Sequence, residues 1–356
     1  MNPIQAWNRF WFGPISALPL GVYRVIFGVL VLAHLGLLTV DLDHWYTDAG
    51  LLRGDEARMA AGPLRISPLQ YVQDPRSVRL VVALVAAAAV GFVVGWRTRV
   101  MSVLLYLGLL SLYHRNIATN CGPDMLMMIT SFYLMLTPCG AAFSIDAWRQ
   151  RRQRGGDAEP LIIPWAQRLL QIQLCLIYFD TALLKCTGTT WTGGTAIHYV
   201  LFNHEVGQLD LEWLARYPLL LNVLTHAALV LEFALAFLLW FRASRRWVAA
   251  AGVLLHLGIV PLVNVPLFGE QMTALYLLFF TPEELRGLTG IFKRWRRSES
   301  ELAGMGRLDM ASSHRGWHQL RLPLESLNED RTTVGCPKVT RGKGIAKSTV
   351  KFGSSV

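Results

Sequence analysis

The chain has 356 residues, is 53% hydrophobic and only 16% charged, and carries a formal net charge of +10. An ordinary soluble domain is about 25% charged, so this composition argues against a soluble enzyme and for a multi-pass helical membrane protein. The positive charge does not point to nucleic acid: the arginines fall mainly in short loops between apolar runs and in the tail, where they orient membrane helices.

Residues 1–16 carry Trp7, Phe10, Trp11 and Phe12, and predict an amphipathic segment lying at the membrane interface. Apolar runs then predict spans at about 17–40, 79–96, 100–116, 124–145, 163–185, 218–241, 246–264 and 266–281, about eight in all. The fold class is therefore all-α, a transmembrane bundle. The loop 41–78 mixes arginines with Asp41, Asp43, Asp48, Asp55, Glu56 and Asp74 and predicts a folded extracytoplasmic element. Residues 149–156 predict a hydrophilic loop, and the loop 186–217 has room for a short helix around Trp191 to Leu201. From about 298 the sequence loses periodicity and predicts a disordered basic tail. Five cysteines without a CxxC pair give no zinc signature or disulfide framework, although Cys121 and Cys186 fall near the same edge and could pair.

Arg97 and Arg99, the arginines at 149, 151, 152 and 154, those at 242, 245 and 246, and the basic cluster at 293–297 all fall on one side of an eight-span chain. That side is cytoplasmic by the positive-inside rule, which places both termini inside a cell membrane. Depth then follows from the rise of roughly 1.5 Å per residue. An outer layer contains Lys185, Asp180, His114, Arg115, Asn116, Asp124 and Glu270, with Trp191 and His198 just beyond it. A deeper layer contains Arg24, Glu232 and His256. A lone charge at mid-membrane costs about 2.5–3.5 kcal/mol on insertion scales, so Arg24 and Glu232 are expected to pair as a structural ion-pair layer.

Each outer residue has two readings. Lys185 either snorkels from a helix end or acts on a substrate: desolvation disfavours an ammonium, and a neutral amine is a general base or nucleophile. Nearby Asp180 would instead hold its charge. His114 is either a capped surface histidine or a base. Asp124 is either favourable dipole chemistry at a helix start or part of the same site as Arg115. Tyr46, Trp191 and Tyr199 fit ordinary interfacial aromatics. No HExxH, GxSxG, P-loop or Rossmann fingerprint is present, and no metal is expected.

Several segments together resemble a known family. They are YRVIFG with Arg24, DLDHWYTDAGL, LYHRN followed by Asp124, FSIDA, YFDTALLK followed by Trp191, LVLEFALAFLLWF with Glu232, and LLHLGIV with His256. In order and spacing they are similar to the vitamin K-dependent gamma-glutamyl carboxylases, through bacterial-type proteins that share their transmembrane HTTM domain. The resemblance covers roughly residues 15–285. It implies that Lys185 is the base that deprotonates reduced vitamin K or another quinol. Oxygen then generates a stronger base that takes a proton from the gamma carbon of a glutamate, and CO2 is captured. It also implies partners: the bilayer, a quinone and a peptide substrate.

Two departures bear on this. Ala141 and Ala142 stand where the animal carboxylases carry a functional histidine, and a basic stretch follows the last span in place of a large substrate-binding region. The competing expectation is a non-enzymatic membrane protein, a transporter or assembly partner, whose buried charges are structural or line a path.

Overall fold

The computed structural model describes residues 2–72, 74–154, 159–203, 212–260 and 262–287. The tail expected from 298 lies outside them. Helix α1 (Pro3–Phe12) is capped by Asn2, whose side chain accepts from the Ile4 amide at 3.1 Å, and it buries none of its residues. Strand β1 (Ile15–Ser16) pairs antiparallel with β2 (Leu161–Ile162), and α2 (Leu18–Leu38) follows β1 at once. The segment expected to fold between the first two spans holds α3 (Leu42–Tyr46), α4 (Gly54–Ala61) and a 3₁₀ turn at Pro68–Gln70.

Helix α5 (Pro75–Val94) starts at Asp74, which accepts from the Ser77 amide at 3.0 Å, and stops at Gly95. Gly95 sits at φ 71°, where a side chain would be strained and would also collide with Ser144. Then come α6 (Thr98–Arg115), α7 (Gly122–Leu136), α8 (Ile145–Arg154) and α9 (Trp165–Thr187). Short helices α10 (Thr189–Thr192) and α11 (Ala196–Leu201) lead to α12 (Pro218–Leu238), α13 (Arg242–Ile259) and α14 (Phe268–Leu275), the last continued by a 3₁₀ turn at Tyr276–Phe279.

Four of these helices, α2, α5, α9 and α12, are long and apolar enough to cross a membrane. The run expected as one span over 124–145 is broken instead. Pro138 cannot donate to a helix, a 3₁₀ turn occupies Cys139–Ala141, and Phe143 takes a positive φ of 51°. The expected loop 149–156 begins as helix, because Ser144 caps α8 by accepting from the Ala147 amide at 2.8 Å.

Contacts sort the helix ends into two groups. At one end β1 meets β2, and Asp146 accepts from the Arg97 and Thr98 amides at 3.0 and 2.7 Å. At this same end Ser16, Glu159, Arg168 and Arg245 share one cavity. Burial pushes the Asp146 carboxyl up, but the bonds from Thr98 and Arg97 outweigh that and hold it below the ordinary carboxylate range. The arginines at the starts of α6 and α13 belong to this end. At the other end Asn116 Nδ2 donates to the Trp45 carbonyl at 3.0 Å, and Ser67 Oγ to the Ser111 carbonyl at 2.7 Å. A single apolar core, with residues from α2, α5, α6, α7, α9, α12, α13 and α14, joins the two.

Candidate functional site

The sequence YFDTALLK sets Tyr178, Thr181 and Lys185 at i, i+3 and i+7, one face of α9. That face meets α12. Lys185 Nζ forms an ion pair with Glu232, and Thr181 Oγ1 lies 3.5 Å from the other carboxylate oxygen. Beneath them Tyr178 Oη bonds to His256 Nε2 of α13 at 2.8 Å and to Tyr276 Oη at 2.5 Å. His256 is buried, and its Nδ1 has no hydrogen-bond partner among the described residues. The Phe268 ring stands edge-on to the imidazole at 5.7 Å between centroids. Trp191 of α10 covers the pair from above, with Nζ 4.6 Å from its ring centroid.

This geometry corrects the expected pairing of Arg24 with Glu232. The first turns of α12 rise beside α10: Asn222 Nδ2 donates to the Gly193 carbonyl at 3.3 Å, and His226 Nε2 lies 3.3 Å from the Thr192 carbonyl. Glu232 therefore comes level with Lys185 at the end of α9. Arg24 is fully buried elsewhere. It donates to the carbonyls of Phe92, Val93 (3.1 Å) and Phe143 (2.5 Å). Two of those acceptors, Phe92 and Val93, lie in the last turn of α5, where the helix dipole favours a cation. Asp180 does not hold the charge of Lys185 either. It lies off the paired face of α9 and is exposed.

The remaining outer residues form a separate group. Arg115 is fully buried at the end of α6, and its Nη2 donates to the Leu52 carbonyl at 2.9 Å, while Nε and Nη1 have no hydrogen-bond partner among the described residues. His114 Nδ1 donates to the Ile66 carbonyl at 3.1 Å. Asp124 caps α7 by accepting from the Cys121 amide at 2.9 Å and the Cys121 thiol at 3.2 Å. Its other oxygen lies 3.8 Å from His34 Nδ1, and His34 Nε2 lies 3.3 Å from Tyr113 Oη. Asp124, Cys121, His34, Tyr113 and Tyr46 line a cavity of about 390 Å³, to which His114 and Arg115 do not contribute. Burial pushes the Tyr46 hydroxyl up to about 12, so it stays protonated. Cys121 and Cys186 are free thiols, not a pair. His198 packs against Phe202, 5.0 Å between centroids, and Glu270 is exposed at the start of α14. Neither has Lys185 as a contact among the described residues.

Sequence reasoning missed Tyr178, Thr181 and Tyr276 at the first group and His34 and Tyr113 at the second. The helical spacing from Tyr178 to Lys185 was a usable signal. Nothing local marks Tyr276 or His34, whose partners are about a hundred residues away.

Chemically, the first group sets a cation against a carboxylate, above a chain of two phenols and an imidazole. The Glu232 side chain is 8% exposed and that of Lys185 is 24% exposed. The carboxylate is thus shut away while the amine remains approachable.

No curated protein and no solved structure matches this chain. One family does match, over residues 12–283, from the last residue of α1 past the Tyr276–Phe279 turn, so that Arg24, the Lys185–Glu232 pair and His256 all fall inside it. By that match the chain belongs to the HTTM domain family.

Proposed function

We propose that this HTTM-domain membrane protein is a quinol-dependent enzyme of the gamma-carboxylase type, with Lys185 as the base. The observation that carries the reading is the ion pair of Lys185 with Glu232 beneath the Trp191 ring. Desolvation disfavours charged groups, and Glu232 stands within reach to take a proton from the ammonium. The neutral form presents a free amine. Glu232 is then the group that takes the proton from Lys185 and returns it, and Thr181 holds the carboxylate in place.

The residues fit a reduced quinone. Trp191 offers a flat aromatic face and Lys185 a proton acceptor. When bound, a reduced quinone with oxygen would supply a base strong enough to act on carbon. The Trp191 cover and the buried Glu232 would keep water from that base. Transfer of CO2 to a glutamate belongs to the same proposal through the family resemblance. So do a bilayer topology of about eight passes with both termini cytoplasmic and an extracytoplasmic placement of Lys185. The clustering of Arg97, Arg99, Arg242 and Arg245 at one end of the bundle supports that orientation.

The test is formation of quinone epoxide by purified protein given reduced vitamin K and oxygen. Turnover that vanishes in Lys185→Ala and falls in Glu232→Gln is expected. No epoxide from a folded wild-type protein refutes the proposal.

A second reading has its own support. The chain His256–Tyr178–Tyr276, with Tyr178 at its centre, lies below the pair, as in a proton path through a non-enzymatic transporter. It predicts proton flux in liposomes without quinone turnover, abolished in Tyr178→Phe.

A further inference from the structure

The element between α2 and α5 carries an apolar edge that the fold leaves bare. Leu64 is 92% exposed, Met59 75% and Ile66 71%, with Tyr71 beside them. A purely aqueous loop has no reason to display four such side chains together.

Its position relative to α6 gives the reason. Ser67 Oγ donates to the carbonyl of Ser111, one turn before the end of α6. His114 Nδ1 donates to the Ile66 carbonyl, and Gln70 Nε2 donates to the His114 carbonyl at 3.0 Å and the Arg65 carbonyl at 2.9 Å. Residues 64–70 therefore hang alongside the last turn of α6, below its end, by about one helical pitch of 5.4 Å. Meanwhile Arg115 and Asn116 hold Leu52 and Trp45 at the helix end. Lower on the same helix Leu104 and Leu107 are exposed apolar residues. The bare edge at Leu64 and Ile66 continues that belt toward the water. Arg58 stacks on Tyr71 at 5.1 Å, and Arg65 stands exposed between Leu64 and Ile66. Guanidinium groups and tyrosine flanking aliphatic side chains are the pattern of a segment seated at the headgroup boundary.

We infer that residues 59–71 form a lip inserted into the outer leaflet, with Met59, Leu64 and Ile66 among the upper acyl chains and Arg65 on lipid phosphates. The inference rests on α6 crossing the bilayer. Its test separates the two.

Nitroxide labels are placed at Leu64→Cys and, as a control on the α6 belt, at Leu107→Cys, in a Cys121→Ser/Cys186→Ser/Cys336→Ser background that leaves only the buried Cys139 and Cys175. The full chain is reconstituted in vesicles of phosphatidylcholine and phosphatidylglycerol. Accessibility to oxygen, which partitions into lipid, is compared with accessibility to a water-soluble nickel chelate. Oxygen-favoured relaxation at both sites is expected. Chelate-favoured relaxation at 64 with oxygen-favoured relaxation at 107 overturns the lip alone. Chelate-favoured relaxation at both overturns the crossing of α6 as well. A label at 64 that neither reagent reaches means that a protein surface covers the edge, and that also overturns the inference.

Discussion

The Lys185–Glu232 pair can be tested by a double-mutant cycle whose outcome is asymmetric. Glu232 lies within α12 and is 8% exposed. Removing its partner with Lys185→Met leaves a carboxylate with only Thr181 beside it, a change that costs about 3–5 kcal/mol for a buried pair. Lys185 lies two residues from the end of α9 and is 24% exposed, so in Glu232→Leu its ammonium can extend toward the helix end. The cost there falls to about 2 kcal/mol, that of one charge-assisted hydrogen bond. Replacing both residues removes the desolvated charges together and should leave stability within about 1 kcal/mol of the wild type. The coupling energy is then about 4 kcal/mol or more, against about 0.5 kcal/mol for independent sites. Reversible denaturation of purified protein in mixed micelles, followed by circular dichroism, measures all four corners. Additive single changes, or a double variant as unstable as their sum, would refute the pairing and the proton-transfer chemistry built on it.

Arg24→Leu is expected to cost about 3–5 kcal/mol in the same assay, because it takes the side-chain donor from the Val93 carbonyl at the C-terminal end of α5 and from the Phe143 carbonyl. Arg24→Lys should restore only part of this, since an ammonium cannot fork between two peptide groups. Trp191→Leu should weaken the site by about 0.5–2 kcal/mol through loss of its contact with Lys185, with Trp191→Phe intermediate. In a Glu232→Leu background, where Lys185 has moved, that difference should shrink. Asp146 is held below the ordinary carboxylate range, so its contribution is present above about pH 3.9 and is lost as pH falls through the folded value. Unfolding curves for wild type and Asp146→Asn should therefore differ at pH 6 and converge under strong acid. A gap that widens on acidification would show the sign to be wrong.

Helical class and membrane character were legible because they depend on composition and on the length of apolar runs, which tertiary contacts do not alter. The starts of α5 and α12 and the stop of α5 were similarly local, set by Asp74, Gly95 and the proline at the first position of each helix. The sequence also placed Lys185 at a helix end with Trp191 close behind it. Which charges meet depended on something no local pattern carries. The first turns of α12 are taken up beside α10, so Glu232 is carried level with Lys185 and away from Arg24. Residues grouped by estimated depth divided differently once helix rotation was fixed. Asp180 turned outward, while Tyr178 and Tyr276 turned in beside His256. The sequence by itself determined that ionisable residues would lie within an apolar bundle. Only the tertiary structure decided their partners, because a buried charge takes whatever acceptor packing brings within reach: a carboxylate for Lys185, and helix-end carbonyls for Arg24.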